Sequence, residues 1–188
     1  MTDTNQERVV YVDQNGQPTG ETAPKLEAHH GNTRLHSAFS CYIFNDKGQF
    51  LVTQRASIKK VWPNVWTNSV CGHPAPGESR DDAVIRRTDY ELGMRITDLQ
   101  VVLPKYIYKT PPYNGIIEHE FCPVYVAIAT TEPNPNTEEV DNFEWLYWQE
   151  FVEKAQADTK DEWSWWCKDQ LKQLEQSELF AAFRARFS

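Results

Sequence analysis

The hydrophobic pattern divides the chain into short strand-like runs separated by strong turn signals, with two longer helical stretches. Arg8 to Val12 reads as a strand, and the Asn15-Gly16 pair that follows predicts a turn leading into Pro18 to Gly20, so a hairpin or strand-turn opens the fold. After Pro24, Lys25 to His30 suits a short helix. Leu35 to Asn45 (LHSAFSCYIFN) reads as a strand ended by Asp46-Lys47-Gly48, with Gln49 to Gln54 returning as its partner. Ala56 to Trp66 mixes prolines, lysines and tryptophans without periodicity, the mark of an exposed basic loop that serves function more than fold. Ser79-Arg80-Asp81-Asp82 resembles a capping box and starts a helix running to Leu92, with Gly93 as its stop.

Further strands are expected at Leu99 to Lys109 and Ile116 to Ala129, joined by a turn over Pro111 to Gly115, and near Phe143 to Trp148. From Trp163 to Arg186 the apolar positions Trp166, Leu171, Leu174, Phe180 and Phe183 fit an amphipathic helix or helix pair. Strands interleaved irregularly with helices give an α+β (mixed α/β) class. At 188 residues this is one compact domain spanning the chain, with its core over about 9–166 and a C-terminal helical segment at 163–186.

Composition narrows the function classes. With 40% hydrophobic and 13% aromatic residues the chain is a folded protein rather than a disordered one. No stretch approaches the ~20 apolar residues of a membrane helix, and the start lacks a secretion signal, so a cytoplasmic protein with no membrane partner is expected. A net charge of −8 argues against nucleic acid but leaves room for a small anion at locally basic residues. Cys41, Cys71, Cys122 and Cys167 are irregularly spaced with no CxxC pair, which predicts reduced thiols rather than disulfides or a zinc ribbon.

Candidate chemistry sits in two segments. In a strand from Ile116 to Tyr125, alternation places Glu118, Glu120 and Cys122 on one face and Ile117 and Phe121 on the other. Facing a core, the two carboxylates would need to be paired, protonated or bound to a metal, whereas the plainer reading of that segment is a solvated acidic face. His29, His36 and His73 fall at segment edges, and imidazoles with carboxylates suit a zinc or manganese ion, although no HxxxH or HExxH spacing occurs. His30 and His119 are read as structural. In Asn68-Ser69-Val70-Cys71-Gly72-His73-Pro74, an extended backbone turns Cys71 and His73 the same way, and Gly72 lets the backbone approach a ligand closely. A thiol beside histidine or metal can act as acid or base, whereas a buried structural cysteine is the commoner case.

Gly72, Glu78, Arg86, Glu91, Gly93 and Met94 reproduce most of the Nudix signature, with Arg87 and Tyr90 standing where two family glutamates are expected. Those glutamates hold catalytic magnesium in Nudix pyrophosphohydrolases, which puts diphosphate hydrolysis in doubt. The motifs TRLH, WTNSVCGHP, GES, AVIRR with YELG, and an ExE strand followed by Cys-Pro instead resemble the isomerase branch of the superfamily, the type I isopentenyl-diphosphate isomerases, from about Val9 to Trp166.

The resemblance implies a Nudix-like sheet flanked by helices. It also implies isomerisation of isopentenyl diphosphate to dimethylallyl diphosphate through a tertiary carbocation, in a monomer or weak homodimer. Cys71 and Glu120 would be the catalytic pair, with Tyr108 bonded to the catalytic glutamate. One divalent metal (manganese, zinc or magnesium) would be held by His29, His36, His73, Glu118 and Glu120. Glu91 would help hold a magnesium ion that joins the substrate diphosphate, and its plainer local role is a salt bridge with Arg87. Lys25, Arg55 and Lys59 match the diphosphate contacts, which otherwise read as a solvated basic surface. Trp166 matches an aromatic residue facing the carbocation, but Ser164-Trp165-Trp166 departs from the family's Ser/Thr-Pro-Trp, so Trp163 or Trp165 could hold that place. The alternatives are a Nudix pyrophosphohydrolase acting on nucleoside diphosphate derivatives, and a non-enzymatic binding domain with a structural metal.

Overall fold

A computed structural model describes residues 7–28 and 31–187. In chain order the elements begin with β1 (Arg8–Val12), β2 (Pro18–Pro24), α1 (Lys25–Ala28), β3 (His36–Ser37), β4 (Phe39–Phe44) and β5 (Gln49–Arg55). There follow β6 (Trp66–Thr67), β7 (Val70–Gly72), α2 (Arg80–Leu92), β8 (Ile96–Leu103), β9 (Ile107–Lys109) and β10 (His119–Phe121). The chain closes with β11 (Val124–Ala129), β12 (Val140–Tyr147), α3 (Trp148–Ala157), α4 (Trp165–Leu174) and α5 (Glu178–Arg184).

Among the described residues the strands form two sheets. One runs β2-β1-β3-β10-β9; the other runs β12-β5-β4-β11-β8, with β6 added to β5 and β7 to β4. The pairs β3–β10 and β4–β11 are parallel and the rest antiparallel. The opening hairpin is β1–β2, as expected.

Three segments expected as single strands each divide between the sheets. Leu35 to Asn45 breaks at Ala38 into β3 and β4, Leu99 to Lys109 breaks at Pro104 and Lys105 into β8 and β9, and Ile116 to Ala129 breaks at Cys122 and Pro123 into β10 and β11. Proline cannot donate to a ladder, which accounts for two of the breaks. The crossings lie side by side, tied by Ala38 N to Phe121 O at 2.9 Å and Cys122 N to Tyr106 O at 2.8 Å.

The larger sheet is covered on both faces, so its central strands are continuously apolar instead of alternating. Along β4, Phe39, Cys41 and Ile43 pack with Ala83, Val84 and Leu92 of α2, whereas Tyr42 and Phe44 pack with α3, α4 and α5. The same period of two divides Tyr125 and Ala127 from Val124 and Val126 in β11.

Helix α2 has the expected ends. Ser79 Oγ accepts from Asp82 N at 3.1 Å, and Gly93 adopts the left-handed conformation (φ 59°) and returns its N–H to Asp89 O. Helix α3 was not anticipated: Trp148 ends no strand but begins a helix buried through Trp148, Phe151, Val152 and Ala155. The C-terminal stretch is a helix pair whose Trp166, Leu171, Leu174, Phe180 and Phe183 are all buried. No helix among the described residues is long and apolar enough to cross a membrane.

Candidate active site

The crossing of strands between the sheets, the loop after β5 and the N-terminal part of the chain enclose a cavity of about 400 Å³. Its lining includes Cys71, His73, Tyr108, Glu118, Glu120 and Trp166, together with Lys25, Arg55, Lys59, Arg87, Glu91 and Glu139.

Glu120, on β10 and buried, is the hub. Its Oε1 lies 3.0 Å from His73 Nε2 and 3.4 Å from His36 Nε2, and its Oε2 receives the Tyr108 hydroxyl at 2.8 Å. Burial alone would raise its pKa; His73 and His36 outweigh that and hold it well below the usual carboxylate range. His36 is fully buried and its Nδ1 donates to Arg34 O at 3.0 Å, which leaves Nε2 directed at the carboxylate. Two imidazole nitrogens converging on one carboxylate oxygen make a donor set suited to a divalent cation, and ligand atoms of His36, His73 and Glu120 lie within 4.8 Å of one another.

Glu118 falls outside that trio and one residue before β10. Its Oε2 is 3.0 Å from the Tyr108 hydroxyl, and burial together with the charge of Glu120 raises its pKa to about 7. His29 and His30 lie outside the described residues. His119 faces elsewhere, with Nδ1 donating to Thr33 O at 3.2 Å, which fits its structural reading.

Cys71, on β7, shares the cavity with Glu120. Its Sγ donates to Asn68 Oδ1 at 3.2 Å and lies 3.4 Å from Ser40 Oγ. Burial pushes the thiol up to about 12, so it holds its proton at neutral pH. The loop after β7 is stapled to α2: Arg86 forks onto Glu78 at 2.6 and 2.7 Å and reaches His73 O, and Glu78 also accepts from Ala75 N at 2.7 Å. What presses on Gly72 is Phe39 and Arg87, since a Cβ there would come within 3.0 Å of Arg87 Cγ. The glycine makes room for protein packing.

Arg87 fills the place of one absent signature glutamate. Its guanidinium is buried and pairs with Glu91 at 2.6 Å, Glu7 at 3.1 Å and Glu139 at 3.3 Å. The salt bridge expected as the plainer role of Glu91 is therefore present, and it lies in the cavity wall. Lys25 meets Glu7 at 2.7 Å, and Lys59 pairs with Glu139. Arg55 donates to the carbonyls of Val61 and Trp62 at 3.0 Å, and its charge acts on Glu118. The loop following Arg55 is only partly exposed: Ile58 is open to solvent, but Trp62 is buried against Trp166 at 5.5 Å.

Of the three candidate tryptophans, Trp166 lines the cavity, with Arg55 Cζ 5.7 Å from its ring. Trp163 packs on Phe151, and Trp165 lies beside Tyr108. Sequence reasoning missed Glu7, Ser40, Asn68 and Glu139. Asn68 opens the motif singled out around Cys71 but was given no role; the others reach the site only through long-range pairing.

Residues 34–177 match the NUDIX domain family, and the chain belongs to it. Similar solved structures include a protein from Deinococcus radiodurans (TM-score 0.69, 17% identity, 89% of this chain and 98% of that one). Another is a MutT NUDIX hydrolase from Burkholderia pseudomallei (TM-score 0.57, 20% identity, 74% and 98%). At those identities the likeness shows the fold alone. Curated relatives point to a particular branch: the chain is 47% identical over 168 residues to the isopentenyl-diphosphate Delta-isomerase of Saccharopolyspora erythraea, covering 89% of this chain and 86% of the relative. It is 51% identical over 140 residues to the protein of the same name from Salmonella heidelberg, covering 74% and 77%.

Proposed function

We propose that the chain isomerises isopentenyl diphosphate to dimethylallyl diphosphate by acid–base catalysis between Cys71 and Glu120. The observation that carries this reading is that a protonated thiol and an ionised carboxylate line one small cavity, beside cationic side chains suited to a diphosphate.

Moving the double bond requires a proton to be added at one end of a three-carbon unit and another removed from the far end, through a tertiary carbocation. A group that holds a proton and a group that lacks one are both needed. Cys71 and Glu120 supply them, each serving both roles because the reaction is reversible. Tyr108, bonded to Glu120, tunes or relays the proton on that carboxylate. Trp166 presents an aromatic ring to the cation, worth ~2 kcal/mol when desolvated. Acid–base catalysis adds about 10²–10⁴-fold, whereas enzymes lower barriers by at least ~8 kcal/mol. The remainder comes from binding at the diphosphate end through Lys25, Arg55 and Lys59, which holds the alkene between the two groups and excludes water.

A divalent ion (manganese, zinc or magnesium) fits His36, His73 and Glu120, with Glu118 and His29 as further ligands. A magnesium ion accompanying the diphosphate would use Glu91. Bound at the histidine site, the ion supplies positive charge that keeps Glu120 ionised and correctly oriented. Against hydrolysis stands Arg87, a buried cation where the signature calls for a carboxylate.

All 188 residues act as one unit in this reading, because α4 delivers Trp166 to a cavity built by the rest. A monomer or weak homodimer accompanies this reading, and four unpaired thiols suit the cytoplasm. Proton NMR of the purified protein with isopentenyl diphosphate and magnesium tests the proposal. The terminal =CH2 and allylic CH2 resonances should give way to a second methyl and one vinyl proton, and phosphate release from nucleoside diphosphate derivatives without that change would overturn it.

A further inference from the structure

Behind Cys71 the buried polar groups form a directed chain that begins on the C-terminal helix pair. Gln170 is completely buried on α4, one turn beyond Trp166 and on the same face. Its Oε1 accepts the Tyr42 hydroxyl at 3.0 Å, so its amide nitrogen is turned to Ser40 and donates to Oγ at 2.9 Å. With that lone pair occupied, the hydrogen of Ser40 points to sulfur. Two sulfurs lie 3.4 Å away, those of Cys71 and Cys122. The buried Cys122 thiol can donate into the remaining lone pair of Ser40, which leaves Cys71 as the acceptor.

Asn68 fixes the other side. Both its N–H groups are taken, by Cys41 O at 3.1 Å and Val70 O at 3.0 Å, so Oδ1 must face Cys71 and receive its S–H at 3.2 Å. The Cys71 sulfur is thus gripped between one donor and one acceptor, each with its orientation dictated from further out.

We propose that Ser40 and Gln170 are positioning residues for Cys71, together directing one hydrogen bond into its sulfur and so holding the thiol in the rotamer that faces the cavity. The proposal rests on the reading of Cys71 as an acid–base group. A purely structural purpose explains the chain poorly. Gln170 sits among Cys167, Leu171 and Leu174, and replacing a satisfied buried pair by apolar groups of similar shape is close to neutral for stability. Neither Ser40, Gln170 nor Tyr42 lines the cavity, so their loss should not disturb substrate binding.

The test measures kcat and KM on isopentenyl diphosphate, and thermal stability, for Ser40→Ala, Gln170→Met and the double variant. Each single change should lower kcat about five- to tenfold, the equivalent of one hydrogen bond, with KM within about twofold. The double variant should lose no more than the weaker single, because both remove the same device. If Ser40→Ala does not fold, Tyr42→Phe replaces it: the freed amide can turn over and take the Ser40 hydrogen, and kcat should again fall. Folded variants with unchanged kcat, a rise in KM with kcat intact, or losses that multiply in the double variant would overturn the proposal. An active wild type with such variants defeats this inference alone, whereas a wild type without turnover defeats the isomerase reading as well.

Discussion

Tyr108 places its hydroxyl 2.8 Å from Glu120 and 3.0 Å from Glu118. A phenol carries one hydrogen, so it satisfies one carboxylate and the other must bring a proton or a counter-charge. Burial and the nearby Glu120 raise Glu118 to about 7, which makes Glu118 the acid that keeps a proton near neutrality in the absence of an ion. Tyr108→Phe should therefore reduce kcat about tenfold with little change in KM, as steady-state kinetics would read. A fully active Tyr108→Phe enzyme would remove tyrosine from the account.

Cys71→Ala and Glu120→Gln should each lower kcat by about 10²–10⁴-fold, the range for loss of a general acid or base. Cys41 lies on the opposite face of the sheet, packed with α2, and Cys41→Ala should stay within a few-fold of wild type. Equal losses at Cys41 and Cys71 would show that the thiol effects are structural.

Removing divalent ions with a chelator should abolish turnover while far-UV circular dichroism is retained, and manganese, zinc or magnesium should restore it. His73→Ala, which strips a nitrogen from the His36, His73 and Glu120 trio, should weaken metal binding by about 10-fold or more in calorimetry. Turnover in demonstrably metal-free protein would contradict this.

Arg87 neutralises carboxylates in the cavity wall, so Arg87→Met should destabilise the fold by about 3–5 kcal/mol in urea denaturation. Burial already raises Glu91, and losing Arg87, the charge that opposes that rise, would raise it further. The penalty of its uncompensated charge is largest at high pH and shrinks as it protonates, so the deficit should narrow from pH 8 to pH 5. A deficit independent of pH would point to lost packing instead.

Asp158 gives a pH effect of opposite sign. Burial would raise its pKa, but Lys168 and the backbone N–H groups of Trp163, Glu162 and Lys160 outweigh it and hold the carboxyl at about 2 against a reference of 3.8. A depressed folded pKa contributes stability that is present above the unfolded value and lost as pH falls through the folded one. Asp158→Asn should be less stable than wild type at pH 7, with the gap closing between about pH 4 and pH 2. An unchanged gap across that window would exclude the carboxylate charge as its source.

Local signals made parts of the structure legible. The Ser79 cap and Gly93 stop delimit α2 because each depends on its own few residues. The split strands were harder: Pro104 and Pro123 were visible, but that they mark a passage between two sheets depends on pairing across the chain. Trp148, Phe151, Val152 and Ala155 carry a helical spacing, but Trp148 reads equally well as the end of a strand. In the site, Cys71, His73, Glu118 and Glu120 stood out through residue type and spacing. Ser40, Gln170, Glu7 and Glu139 carry no such mark, since their significance arises from partners distant in sequence: Arg87 for Glu7, Lys59 and Arg87 for Glu139, and each other for Ser40 and Gln170.

The central claim is that proton exchange occurs at the carbon skeleton. Incubation with isopentenyl diphosphate in deuterated water, read by NMR and mass spectrometry, tests it most directly. Deuterium should appear in dimethylallyl diphosphate with wild-type protein and be nearly absent with Cys71→Ala and with Glu120→Gln. A product free of deuterium, or diphosphate cleavage with the double bond unmoved, would contradict the account.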